Sequence, residues 1–92
     1  MIAVQAIQFT GNNVRDVQRW VGLNVCSAND RRFFHRVIQN KDGSVALQLR
    51  LMEGELELRE HDWLLLGAEG ELDATDPITF ATQYVLAQQR AA

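Results

Sequence analysis

Residues 45–66 read VALQLRLMEGELELREHDWLLL, and this stretch decides the fold class. Val45, Leu47, Leu49 and Leu51 alternate with Ala46, Gln48 and Arg50, the period-two pattern of a strand with one packed face. Glu53-Gly54 turns the chain. Leu56 and Leu58 then alternate with Glu55, Glu57 and Arg59 in a returning strand. Trp63 to Leu66 is apolar at every position, which predicts a strand that is central or covered on both sides. A hairpin followed by a doubly covered strand belongs to a sheet protein, not to a helical bundle.

Working outward, Gly67 and Gly70 mark a turn or bulge before a short strand at Glu71-Leu72. Asp76-Pro77 reads as the start of one helical turn, with the aspartate as cap and proline at the first position. Phe80 and Tyr84 anchor the last ordered segment, a closing strand to about Leu86, and residues 87–92 read as a frayed tail. Toward the N-terminus, Asn40 to Gly43 is a strong turn signal, preceded by a strand from Arg32 to Gln39 and an irregular loop from Leu23 to Asp30. Ile2 to Phe9 reads as a strand stopped at Thr10-Gly11. Asn13 offers a helix N-cap with Asp16 in the first turn; Val14, Val17 and Val21 follow at helical spacing beside Trp20, and Gly22 reads as the terminator. The expected fold is α+β, a small curled antiparallel β-sheet or partly open barrel with one α-helix after the first strand, in a single domain over 1–92. Trp20, Trp63, Phe80 and Tyr84 are the aromatics assigned to its core.

Composition narrows the function. The 92 residues allow one modest core, and 47% hydrophobic with 23% charged residues is a globular balance. A net charge of −3 argues against a dedicated duplex DNA binder, which carries a basic field. The single cysteine, Cys26, excludes an internal disulfide and fits a reducing cytosol. No apolar run approaches a membrane span and no secretory signal is legible, so the expectation is a protein that stays in the cytoplasm where it is made, with no membrane partner.

Catalytic chemistry needs grouped residues. Cys26, His35 and His61 fall on separate elements without metal-ligand spacing, and the glycines fall at hairpin turns instead of in a phosphate-cradling loop. No catalytic residue, metal ligand or cofactor is therefore assigned. His61-Asp62-Trp63 is the most tempting local group, since an aspartate beside a histidine can orient an imidazole. Asp62 reads better as a turn residue that accepts backbone amides, and Trp63 as the first core residue of its strand.

Residues 31–36 interleave Arg31, Arg32 and Arg36 with Phe33, Phe34 and His35. Single-stranded nucleic acid could stack on such a segment, a reading that the acidic whole disfavours. As a strand, Phe33, His35 and Val37 point one way and Phe34, Arg36 and Ile38 the other. Both faces are partly apolar, which an edge strand of a small domain cannot hide, so one face is expected to meet another copy of this chain or a different protein. Phe33, Phe34, His35 and Arg36 are the nominated interface. The acidic C-terminal half, with Glu55, Glu57, Glu71, Asp73 and Asp76 among its carboxylates, reads as a solvated face, the alternative being a surface that steers toward a basic partner.

From Met52 to Tyr84 the chain resembles, without a gap, a signature of small tailed-bacteriophage and prophage proteins of unknown function. That signature runs "LEG", a short strand, then PGDW-I-I-R-G-V-K-G-E-F-Y-P-C-K-P-D-I-F-E-A-T-Y. The opening Val4-Gln5-Ala6-Ile7-Gln8-Phe9-Thr10-Gly11-Asn12-Asn13 is similar to the group's "VEAIQWTGDN". The chain departs where Glu60 and His61 replace proline and glycine, where Leu66 replaces arginine, and where Asp73-Ala74-Thr75-Asp76 replaces "Y-P-C-K". The resemblance implies a phage or prophage origin. Joined to the two-faced strand, it suggests a non-enzymatic accessory protein acting by protein–protein binding in the bacterial host cytoplasm. The alternatives are a virion component, as capsid decoration or head–tail junction, and a module that sequesters a small ligand or nucleic acid.

Overall fold

The computed structural model describes residues 2–24, 34–51, 54–67 and 70–86. In chain order these form β1 (Ile2–Gln8), α1 (Val14–Asn24), β2 (Phe34–Gln39), β3 (Val45–Leu51), β4 (Gly54–Arg59), β5 (Trp63–Leu66), β6 (Leu72–Thr75), α2 (Pro77–Gln83) and β7 (Tyr84–Leu86). One sheet has the order β6-β5-β1-β7 and the other the order β2-β3-β4. β4 runs beside β6 without pairing with it. The result is the α+β class read from the sequence, two curled sheets that do not close into a barrel.

Alternation along β3 and β4 sets one half of the core. The register pairs Leu47 with Leu58 and Leu49 with Leu56, so the leucines of both strands share a face. Ile7 and Ala74 lie opposite Leu64 from either side of β5, which places all three on a single face of the second sheet. Between these faces lie Phe9, Val17, Val21, Leu47, Leu49, Leu58 and Leu64, all fully buried, with Trp20, Leu56 and Leu72 packed around them. α1 contributes Val17 and Val21, the stripe that helical spacing predicted. β5 is central, between β1 and β6, as its unbroken apolar run requires.

The opposite face of β5 carries a second cluster. Trp63 stacks on Phe80 with ring centroids 4.0 Å apart, and Phe80 lies 5.8 Å from Tyr84. Leu65, on the same side of β5 as Trp63 by alternation, is buried there with Phe80. Three of the four aromatics assigned to the core thus form this outer stack, Trp20 sits at the core's margin, and the aromatic at the centre is Phe9.

Other differences have local causes. β6 runs on to Thr75, and α2 makes seven residues where one turn was expected. β7 pairs in parallel with β1, Ile2 opposite Tyr84 and Val4 opposite Leu86. Geometry demands this: β6 and β1 are both antiparallel to β5, and α2 carries the chain across two strands without reversing its sense. Gly22 lies inside α1 and does not end it. Asn24 closes the helix instead, its Nδ2 donating to the Trp20 carbonyl at 2.8 Å. Asn13 holds the N-cap position, since Val17 N–H donates to its carbonyl at 3.1 Å. Its side chain turns back into the loop, accepting from Thr10 N at 2.9 Å and donating to the Gln8 carbonyl at 2.8 Å, so it caps no helical amide. The tail at 87–92 and the loop over 25–30 lie outside the described residues.

Candidate binding surface

β2 is an edge strand of the three-stranded sheet. It pairs with β3 through six residues, Phe34 opposite Arg50 to Gln39 opposite Val45, and among the described residues nothing pairs with its other edge. The turn that delivers it is well specified. Asn40 N–H donates to the Ser44 carbonyl at 2.9 Å, Gly43 takes a φ of +89° that a side chain would resist, and Asp42 accepts from both the amide and the hydroxyl of Ser44. Those two bonds, hydroxyl first, hold the Asp42 carboxyl below the usual carboxylate range.

The register puts Arg36 and Ile38 on the outer face, beside Gln48 and Ala46, and Val37 on the core face, beside Leu47. Leu47 is fully buried, yet Val37, one strand further out, is 47% exposed. The core does not reach far enough to cover it. An aliphatic side chain is thus half exposed beside a strand edge that nothing pairs among the described residues, the condition that makes an edge strand a template for another chain. Arg36 is exposed and makes no ion pair among the described residues.

Of the four nominated interface residues, Phe33 lies outside the described residues. Phe34 and His35 fall in β2 opposite Arg50 and Leu49, and Arg36 stands in the outward row. Val37 was missing from that set because its exposure follows from strand order, which no local pattern reveals. A second apolar edge was also missed. Ile2, Val85 and Leu86 are exposed where β7 flanks β1, and a groove of about 330 Å³ beside them is lined by Gln5, Ala6, Ile7, Trp20, Asn24 and Leu86.

The polar groups singled out from the sequence have structural duties. Asp62 Oδ2 accepts from Arg59 N at 2.9 Å, so the aspartate ties the β4–β5 turn as expected. His61, exposed, has a φ of +77°, and its carbonyl accepts from Gln8 Nε2 at 2.9 Å. A left-handed backbone is one that glycine adopts at no steric cost. His35 lies in β2 and His61 in the β4–β5 turn, and β3 stands between β2 and β4. Cys26 lies outside the described residues. Asp76 caps α2 by accepting from Thr79 N at 2.7 Å, and this bond, with one from the Thr79 hydroxyl, lowers its pKa. A polar groove of about 430 Å³ near the β2–β3 turn is lined by Asn40, Asp42, Ser44, Glu57 and Glu60 among others. Two of its carboxylates are already engaged, Asp42 with Ser44 and Glu60 with the Val45 amide at 2.9 Å. Among the described residues no group of three His, Cys, Asp or Glu side chains could hold a metal ion.

Searched against known protein families, curated proteins and solved structures, the chain matches none of them. Among the described residues, no helix is long and apolar enough to cross a membrane.

Proposed function

We propose that this is a phage or prophage accessory protein that acts by binding another protein in the bacterial host cytoplasm, using the free edge of β2. The observation that carries the reading is Val37, 47% exposed on the core face of a strand with no partner on its outer side among the described residues. A domain of this size has little apolar surface to spare, so an aliphatic side chain left out beside an edge unpaired among the described residues points to association. The likeness of residues 52–84 to the phage signature supports the origin. The polar groups of the two turns and of the α2 cap are occupied in holding the backbone, which supports a role in binding over one in catalysis.

The test compares the wild-type chain with Val37→Asp as baits in a bacterial lysate, with captured proteins identified by mass spectrometry. A protein held by the wild type and lost with Val37→Asp, while the variant keeps its thermal midpoint, is the expected result. The same set of proteins on both baits overturns the reading. Stoichiometric recovery of the chain in purified virions would replace it with a structural role in the particle.

A further inference from the structure

The three-stranded sheet already shows what its strands accept as neighbours. On its outer face Arg50 of β3 meets Glu55 of β4, Nη2 to Oε1 at 2.9 Å, and Gln48 Nε2 donates to Glu55 Oε2 at 3.1 Å. On the core face Leu56 and Leu58 of the same strand cover Leu49 and Leu47. β4 therefore lies against β3 with acids and leucines alternating, Glu55 turned to the cation and the leucines to the core. One strand out, β2 sets one cation in its outward row and one aliphatic side chain in its core-facing row, and its far edge has no neighbour among the described residues. Arg36 projects on the outer face with no ion pair there, and Val37 projects on the core face, half exposed.

Charge points the same way. Residues 34–41 carry two cations, Arg36 and Lys41, and no acid, in a chain whose net charge is −3, and Asp42, which follows, is taken up by Ser44. A basic segment on an acidic protein attracts acidic partners and repels a second copy of the chain as a whole. Pairing β2 with β2 of another copy would also bring their cations together.

From this we infer the chemistry of the partner: an extended segment of another protein in which acidic residues alternate with aliphatic ones, added to β2 as a further strand. Its acids face Arg36, its aliphatic side chains cover Val37, and its backbone takes up the edge N–H and C=O groups that have no partner among the described residues. The inference rests on the protein-binding reading above and adds the identity of what is bound.

Titration of the ¹⁵N-labelled full chain with synthetic peptides tests it. One peptide alternates glutamate with valine, one alternates lysine with valine, and one has the first peptide's composition in two blocks. The alternating acidic peptide should shift the amides of residues 34–39 saturably and bind at least about tenfold more tightly than the lysine peptide. Arg36→Glu should invert that preference, and Val37→Asp should weaken both alternating peptides. Equal binding of the block peptide, shifts centred elsewhere, no inversion with Arg36→Glu, or tighter binding of a single-stranded oligonucleotide at β2 would each overturn the inference. The two readings fail separately. A lysate protein captured through Val37 alongside silent peptides leaves protein binding standing and removes the acidic–aliphatic partner.

Discussion

The two faces of β5 are packed by different chemistry and from different parts of the chain. The face bearing Leu64 meets a cluster of fully buried, mostly aliphatic side chains drawn from Phe9, α1, β3 and β4. The face bearing Trp63 meets an aromatic stack of Trp63, Phe80 and Tyr84, in which the two outer rings stay half-buried. The first cluster joins both sheets and α1 and spans most of the sequence. The second joins β5 only to the helix and strand that come shortly after it. One is the condition for folding at all; the other fastens α2 and β7 onto a sheet that is already formed.

The sharpest way to break this comparison is Leu58→Ala. Leu58 is fully buried, so its truncation should cost about 3–4 kcal/mol, through lost transfer energy and the cavity left between the sheets. Denaturant unfolding should show a lower midpoint with an unchanged slope. A loss below about 1 kcal/mol would mean that the two sheets do not share one core. Phe80→Ala should cost less, about 2–3 kcal/mol, because water reaches the stack from both ends and can fill the gap. Its signature is local: amide exchange should quicken over residues 77–86 and change little in β3 and β4. Uniform acceleration would erase the distinction between the clusters.

Coupling sharpens the same point. A double-mutant cycle on Trp63 and Phe80 should return about 1 kcal/mol, the range expected of stacked rings. The cycle on Leu58 and Phe80 should be additive within about 0.5 kcal/mol, since these residues sit on opposite sides of the sheet. Strong coupling between them would show the aromatic stack to be an extension of the central core.

The turn that leads from β4 into β5 offers a gain in stability. At φ +77° His61 pays a steric cost that glycine avoids, and its side chain is exposed. His61→Gly should raise stability by up to about 1 kcal/mol, less the entropy glycine adds to the unfolded chain. Thermal unfolding reads the result. A fall would show that the His61 side chain contributes more than its backbone costs.

Much of this fold was legible because its signals are local. Period-two leucines set β3 and β4, an unbroken apolar run set β5, and Asp76-Pro77 set the start of α2. What depended on assembly was not legible. Phe9 lies between the end of β1 and the Thr10-Gly11 stop, where no pattern marks it as central, while Trp63 and Tyr84 looked like core and proved half-buried. Asn13 had two possible sets of partners and chose the loop over the helix. Gly22 resembled a terminator until Asn24 supplied the better one. The binding surface divides the same way. Arg36 stood out as charge among aromatics, but Val37 became notable only once β2 was known to be an edge strand.

The smallest effect belongs to pH, and it concerns the strap that holds the aromatic stack. Asp76 begins α2, and the amide and hydroxyl of Thr79 hold its carboxyl below its ordinary value of 3.8 in the folded chain. A lowered folded pKa means that the stabilisation is complete above 3.8 and is lost as pH falls below it, when the folded carboxylate takes up its proton. Asp42 is lowered in the same direction by Ser44, in the β2–β3 turn. Asp76→Asn keeps an oxygen that can cap the Thr79 amide and removes the charge. Its thermal midpoint should stay close to wild type at pH 7 and fall less steeply between pH 4 and pH 2. Asp42→Asn should flatten the same acid limb without quickening exchange in α2 at low pH, because its turn lies in the other sheet. If Asp42→Asn alters protection of α2 as much as Asp76→Asn does, the aromatic strap is not the local device that the comparison of the two faces makes it.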